Sequence, residues 1–428
     1  MMNYQFSHIS KIDGELSLPG DKSISHRALI FSALAEGESS IANLADSEDV
    51  KNTIACLKYL NIQIEKENKK YIVHGKGKGG FSKPEKSLDC GNSGTTARLL
   101  SGVLAAQSFP SKITGDNSLS QRPMKRIIDP LEKMGCTIKS NDGYLPLNFT
   151  AKGNIEAINY NLPVASAQVK GAILLAGLHC DELTTVNEQF SYSRDHTERM
   201  LGLTVEIIDN NKTTSVSSLN YPNAGEYFVP GDISTASFFI VLTLLTKNSS
   251  LVLKNISLNE TRKSFLKILI KMGADIKIER IGESKNESYG DIIVKSSDMR
   301  NIEINSNIIP GIIDEIPTLA ILSVFAEGSF KISGAKELRF KESDRIKSIT
   351  ANLERAGLNI KSFDDGFSID GKLINDVPTF ESYGDHRIAM AFSVLSCLMK
   401  KGGIVNNFDC VKVSNPQFLN QLEKIKAQ

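Results

Sequence analysis

One succession of apolar and polar positions recurs along the 428 residues. It starts with a helix-length stretch that is apolar on every side, followed by a short alternating stretch and a polar loop. A stretch with apolar residues every three or four positions then runs to a glycine, and two more alternating stretches close the copy. Periods near 3.6 and 2 mark helix and strand, so each copy predicts a buried helix, a strand, an amphipathic helix and a strand pair. The plainest copies are ITGDNSLSQRPMKRIIDPLEKMGCTI, LKNISLNETRKSFLKILIKMGADI and ISGAKELRFKESDRIKSITANLERAGLNI, which share a strand end, a loop and a glycine helix stop. Fainter copies are SSIANLADSEDVKNTIACLKYLNIQI and TTVNEQFSYSRDHTERMLGLTVEI. The residues expected just past the first strands, Asn43, Gly115, Asn187, Asn255, Gly334 and Asn406, lie 72, 72, 68, 79 and 72 positions apart. That period exceeds the roughly 20 to 50 residues of stacked solenoid repeats, so each copy is a piece of a globular domain.

The sixth copy runs out after a helix near residues 417–426, whereas residues 4–18 read as strands with no helix before them. The N-terminal strands are therefore expected to complete the sixth copy. The predicted fold class is α/β (α+β), with two similar lobes of three repeated helix-strand units each. Residues 1–20 with 231–428 form one lobe and residues 21–230 the other, and the two crossovers between them form a hinge.

Polar residues gather where the buried helix of each copy begins: Asp21-Lys22-Ser23, Gly91-Asn92-Ser93-Gly94, Ser166-Ala167-Gln168, Gly231-Asp232-Ile233-Ser234, Ile313-Asp314-Glu315 and Gly384-Asp385-His386-Arg387. A helix N-terminus offers unpaired N–H groups and a partial positive charge, so several aimed at one cleft make a receptor for phosphate and carboxylate. The fourth opening carries the least chemistry. Lys22, Ser23 and Arg27 begin the first helix, with Asp21 or Ser23 able to cap it. Gly94 is unhelpful at a helix start unless a ligand comes close. Arg122 precedes Pro123, which suits a first helical turn. Arg194, Lys341, Glu342 and Arg345 occupy matching loops or first turns, and Arg387 begins the sixth helix. Cations there oppose the macrodipole, so their recurrence calls for an anion. Asp314 and Glu342 are acid–base candidates, though each also fits an ordinary helix-start carboxylate.

With 41% hydrophobic residues the chain can bury two cores. Fifty basic against forty-nine acidic residues leave a net charge of +1, so no global field favours nucleic acid or anionic membrane. The six cysteines are scattered, as expected of buried reduced thiols, and the six histidines show no metal-ligand spacing. No metal or cofactor is expected. MMNYQFSHISKIDG resembles neither a signal nor a transit peptide, and no apolar run reaches the roughly 18 residues of a membrane span, so a cytoplasmic location is expected. GKGKGG matches G-x-G-x-x-G in letters only, because FSKPEKS after it does not begin a helix.

In order, LPGDKSISHR, GNSGTTAR, GDNSLSQRPM, ASAQVK, SRDHTE, KESDR and GDHRIAMAF resemble the enolpyruvyl transferases, in particular the EPSP synthase branch and its bacterial class II subgroup, from about Leu18 to Phe418. The resemblance implies an inside-out α/β barrel in each lobe. It also implies transfer of the enolpyruvyl group of phosphoenolpyruvate to the 5-hydroxyl of shikimate 3-phosphate, with loss of phosphate. By the same resemblance, shikimate 3-phosphate meets Lys22, Ser23, Arg27, Ser166, Ala167, Gln168, Arg194, Asp314 and Lys341. Phosphoenolpyruvate meets Lys22, Asn92, Gly94, Arg122, Gln168, Arg345 and Arg387. Asp314, Glu342 and Lys22 are the implied catalytic residues, with the individual proton transfers left open. The small-molecule substrates are the implied partners, and the family's usual monomer is the implied state.

Two departures stand out. Val413 falls where many members carry a Lys ahead of Pro416, which removes support for a Lys412 contact. Gly94 stands where class II members often have Ala, implying a roomier pocket and ordinary competition by glyphosate. The branch that uses UDP-N-acetylglucosamine carries a catalytic Cys or Asp in the loop matching residues 115–124; here that loop has no Cys but does have Asp116. Ser23 stands where that branch typically has Asn. A non-enzymatic anion sensor on the same repeat would need the cations without a placed acid and base.

Overall fold

The two helix patterns fold as their periods require. The structure, a computed structural model, describes residues 2–151, 153–189, 193–374 and 376–427. Helices Lys22–Leu34, Gly94–Ala105, Ala167–Gly177, Ile233–Leu245, Ile316–Phe325 and His386–Leu398 are buried along nearly their whole length. A helix that is apolar all round has to be enclosed on every side. The second helices of the copies bury one stripe: Glu48–Tyr59 buries Asp49, Val50, Thr53, Cys56 and Leu57 and turns its lysines outward. Lys125–Lys133, Ser264–Lys271, Arg345–Arg355 and Phe418–Ile425 follow the same plan.

The chain divides into two units, one comprising residues 1–19, 231–282 and 288–428, the other residues 20–230 and 283–287. Each has its own apolar core. In the first unit, Ile233–Leu245, Ile316–Phe325 and His386–Leu398 pack against one another. In the second, Gly94–Ala105 packs against both Lys22–Leu34 and Ala167–Gly177. Gly102 permits that second approach, because a Cβ there would lie 2.1 Å from the Ala172 carbonyl oxygen.

Among the described residues the strands form six sheets of three or four strands each. The first copy shows the plan: Glu36–Ala42 runs antiparallel to Lys70–Lys76, which also pairs with Gln63–Glu67. Asn43, Gly115 and Gly334 fall past their first strands as expected, Asn43 and Gly334 in a left-handed turn at φ of 56° and 77°, whereas Asn255, φ 50°, stays inside strand Ser250–Ser257. In the third copy Asn187 stays inside strand Thr184–Gln189, and in the sixth the turn falls at Asn407, φ 54°.

Only part of the N-terminal segment completes the sixth copy. Tyr4–Phe6 pairs antiparallel with Gly403–Asn406, as expected. Asp13–Ser17 goes instead to the fourth copy, parallel to Ser250–Lys254. Two contacts fix it there: the Ile12 N–H donates to Ser249 Oγ at 2.8 Å and the Asp232 N–H to the Pro19 carbonyl at 3.1 Å. The second unit repeats the arrangement with Glu226–Phe228, the strand before the return crossover, parallel to Ser40–Ala42 of its first copy. There the Asp21 N–H donates to the Pro230 carbonyl at 2.6 Å.

No single described helix is long and apolar enough to cross a membrane. The six cysteines are free thiols, five of them buried.

Candidate active site

At most helix openings a neighbour of the chemical residue does the capping. Asp21 accepts the Ile24 N–H at 3.0 Å, Ser93 that of Thr96 at 3.2 Å, Asp344 that of Lys347 at 3.0 Å and Asp385 that of Arg387 at 2.9 Å. These bonds satisfy orphan donors without engaging Lys22, Asn92 or Glu342. Ser166 is an exception and caps its own helix through Val169 at 3.4 Å.

In the second unit, Lys22 Nζ lies 2.8 Å from Asp49 Oδ2. Arg27 is buried; its Nε donates to Thr197 Oγ1 at 2.8 Å and its Nη1 to the Ser23 carbonyl at 2.9 Å. Burial lowers the pKa of Arg27, opposed by the charge of Glu198, and Arg194 is near enough to lower it further. Asn92 is held from both sides, donating to Asp116 Oδ2 at 2.7 Å and accepting Arg122 Nη2 at 2.6 Å. Gln168 accepts Arg98 Nη1 at 2.6 Å and donates to Thr95 Oγ1 at 3.0 Å. Arg98 and Arg122 also flank Gly94, since a Cβ there would sit 2.8 Å and 3.5 Å from their Nη1 atoms. The openings of all three copies thus contribute to this unit's polar cluster. Pro123 differs from expectation: it lies outside the helix that starts at Lys125, and the Met124 N–H, at the helix's N-cap, donates to the Gly143 carbonyl at 2.8 Å.

In the first unit, Asp314 lies in the turn between Ile309–Ile312 and Ile316–Phe325, and Glu342 in the turn before Arg345–Arg355. Neither caps a helix. Both converge on Arg345, which is 1% exposed. Its Nη1 donates to Asp314 Oδ1 at 3.2 Å, its Nη2 to Glu342 Oε2 at 2.5 Å and its Nε to Asp385 Oδ2 at 2.8 Å. Burial alone would pull the pKa of Arg345 down, but Asp385, Glu342 and Asp314 together push it up. Around Asp314 also stand Lys341 Nζ at 3.8 Å, Arg387 Nη2 at 3.8 Å and Arg262 Nη1 at 4.0 Å. A carboxylate ringed by four cations, beside a second carboxylate on the same guanidinium, can handle protons amid bound anions.

Several partners in these clusters escaped the sequence reading. Asp49 on helix Glu48–Tyr59, Arg98 at the end of GNSGTTAR and Asp385 of the sixth opening make pairings that span 27, 70 and 40 residues. Arg262 donates to Glu315 at 3.0 Å and to Ser234 at 2.5 Å, so the chemically sparse fourth opening supports the Asp314 turn. Repeat equivalence was the one available signal, since Arg262 follows its strand as Arg122 follows its own. Lys412 is 69% exposed and pairs with Asp409 at 3.3 Å.

A family model described as EPSP synthase (3-phosphoshikimate 1-carboxyvinyltransferase) matches residues 6–422. The 3-phosphoshikimate 1-carboxyvinyltransferase of Petrotoga mobilis is 47% identical over 432 residues, covering 100% of both chains. The protein of the same name from Bacillus subtilis is 40% identical, covering 98% of this chain and 99% of its own. Among solved structures, EPSP synthase from Acinetobacter baumannii superposes with a TM-score of 0.87 at 37% identity, covering 99% of this chain and 98% of its own. The enolpyruvyl transferase NikO from Streptomyces tendae shares the fold at 14% identity and a TM-score of 0.73, covering 100% of this chain and 97% of its own. By sequence along nearly its whole length and by fold, the chain belongs to the EPSP synthase family.

Proposed function

We propose that the protein transfers the enolpyruvyl group of phosphoenolpyruvate to the 5-hydroxyl of shikimate 3-phosphate, releasing phosphate, as 3-phosphoshikimate 1-carboxyvinyltransferases do on the route to chorismate and the aromatic amino acids. The observation that carries the reading is the pair Asp314 and Glu342 on the buried Arg345. An anion sensor needs the cations but not two carboxylates placed among them.

The reaction is an addition followed by an elimination. The 5-hydroxyl loses its proton as its oxygen bonds the enol carbon, and the methylene carbon gains a proton, giving a tetrahedral intermediate. Loss of a proton from the resulting methyl group and departure of phosphate then restore the double bond. Asp314, Glu342 and Lys22 carry these proton transfers. Ser23, Arg27, Ser166, Ala167, Gln168, Arg194 and Lys341, with Lys22 and Asp314, hold shikimate 3-phosphate. Asn92, Gly94, Arg122, Gln168, Arg345 and Arg387, again with Lys22, hold phosphoenolpyruvate. Fixed guanidinium and ammonium groups aimed at the phosphate and carboxylate stabilise charge where it develops. In this proposal residues 1–20 with 231–428 and residues 21–230 act as two lobes that close on the substrates about their two crossovers. The protein acts as a cytoplasmic monomer.

UDP-N-acetylglucosamine is the less favoured acceptor. Asp116, in the loop where that branch has its catalytic residue, accepts the Leu119 N–H at 2.8 Å and the Asn92 amide at 2.7 Å. Phosphate release from phosphoenolpyruvate, measured with each acceptor in turn, tests the proposal. Rapid release with shikimate 3-phosphate alone supports it; release only with the nucleotide sugar, or with neither, overturns it.

A further inference from the structure

Behind the third helix opening lies a closed cluster of four charges. Lys170, fully buried one turn after Ser166, places Nζ 2.5 Å from Glu188 Oε2 and 2.7 Å from Glu198 Oε1. Lys212 Nζ approaches the same Glu198 oxygen at 3.2 Å, and all four side chains are at most 6% exposed. Burial opposes the charge on Lys170, but Glu198 and Glu188 outweigh it and its pKa is raised. Four desolvated charges are an expensive way to build a core, since well-packed apolar residues of similar volume are often as stable or more so.

The cluster touches the site at three places. Glu188 uses its other oxygen, Oε1, to accept the Ser193 N–H at 2.8 Å, one residue before Arg194. Glu198 lies on helix His196–Leu201, whose Thr197 hydroxyl receives Arg27 Nε at 2.8 Å. The Lys170 N–H donates to the Ser166 carbonyl at 2.9 Å, in the turn that presents Ser166, Ala167 and Gln168. Glu198 also offsets, at Arg27, the repulsion from Arg194.

We infer that Lys170 and Glu188 are positioning residues that set the loop of Arg194 and the seat of Arg27, and so the affinity for the phosphorylated acceptor. The inference rests on the acceptor site proposed above. Of the residues assigned to phosphoenolpyruvate, Arg122, Arg345 and Arg387 make their observed contacts outside the cluster, and Gln168, in the turn beside it, is held by Arg98 and Thr95 instead.

The double variant K170M/E188L removes one positive and one negative charge and leaves Lys212 paired with Glu198. The single variant E188Q keeps the shape of the side chain but cannot serve both Lys170 and Ser193 as a carboxylate does. For each, thermal unfolding, calorimetric binding of shikimate 3-phosphate and the KM for phosphoenolpyruvate are measured. A positioning role predicts folded variants whose shikimate 3-phosphate Kd rises on the order of 10-fold or more in the double variant and less in E188Q, while the phosphoenolpyruvate KM stays within about 3-fold. Parent-like shikimate 3-phosphate binding in a folded variant overturns the inference, as does an equal loss for both substrates. If the double variant does not fold, E188Q decides by the same criteria. A parent protein that neither binds shikimate 3-phosphate nor releases phosphate with it overturns the functional proposal instead.

Discussion

Asp314 and Glu342 show how far a residue's setting is decided by its neighbours. Their placement near helix starts reads more readily as an ordinary helix-start carboxylate than as a proton carrier, and spacing alone could not choose. Asp344 takes the N–H at the start of helix Arg345–Arg355, and Glu342 and Asp314 both turn to Arg345, which Asp385 also holds. Glu342→Gln keeps the volume and a hydrogen-bonding oxygen but no carboxylate. Its kcat is expected to fall by a factor on the order of 10² to 10⁴, with the shikimate 3-phosphate Kd little changed by titration calorimetry. Gly94 is a second residue whose meaning lies in its surroundings. In Gly94→Ala the new methyl falls 2.8 Å from Arg98 Nη1 and 3.5 Å from Arg122 Nη1, so the guanidiniums must shift. The expected result is a phosphoenolpyruvate KM raised about 10-fold, equivalent to ~1.4 kcal/mol, and glyphosate inhibition weakened at least as much, both read from initial rates. The cations themselves were legible, because a charge that opposes a helix dipole stands out in sequence. Their partners were not, because Arg345 meets Asp385 across 40 residues and Arg98 meets Gln168 across 70.

Helices were the most legible elements, because a stretch apolar on every side can only be enclosed. What periodicity could not disclose is the polar seam between them. His26 Nδ1 lies 2.7 Å from Thr53 Oγ1, which is 2.7 Å from Thr96 Oγ1, itself donating to Ser93 at 2.7 Å. This buried chain links the helix openings of the first two copies through Glu48–Tyr59. Burial, the largest cause, lowers the His26 pKa from 6.5 to about 3, with Lys22 and Arg27 adding to the shift and Asp49 opposing it. His179 is lowered to about 4, again mainly by burial. The unfolded chain takes up these protons below about pH 6.5 and the folded chain does not, so stability is full above that pH. It falls as the pH drops from 6.5 towards 3, by at most ~1.4 kcal/mol per pH unit per group. Chemical denaturation at pH 7, 5.5 and 4.5 is expected to show a shallower pH slope for His26→Gln than for the parent, and equal slopes would refute it.

For the whole molecule, six copies were legible from their spacing, but strand partners were not. Alternation announces a strand without saying which edge it joins, so Asp13–Ser17 was read with the sixth copy although it pairs with the fourth. A chain lacking residues 2–17 loses that edge together with the buried Phe6, Ile9, Ile12 and Leu16. At about 1.5 to 3 kcal/mol for each buried apolar side chain, thermal scanning is expected to show the first unit melting well below the intact protein. If the two units close on substrate as proposed, small-angle scattering is expected to show a smaller radius of gyration with shikimate 3-phosphate and glyphosate than without ligand. The hairpin tip at residues 283–287 groups with the second unit, where His196 Nδ1 lies 2.8 Å from Glu287 Oε1. During synthesis the stretch ending at Pro230 therefore leaves the ribosome still waiting for Glu287, and strand Tyr4–Phe6 waits longer, until residues 403–406 emerge to pair with it. Neither half can finish by itself in order of translation, so a nascent chain arrested between residues 230 and 283 exposes both an unpaired strand edge and an unfilled histidine seat.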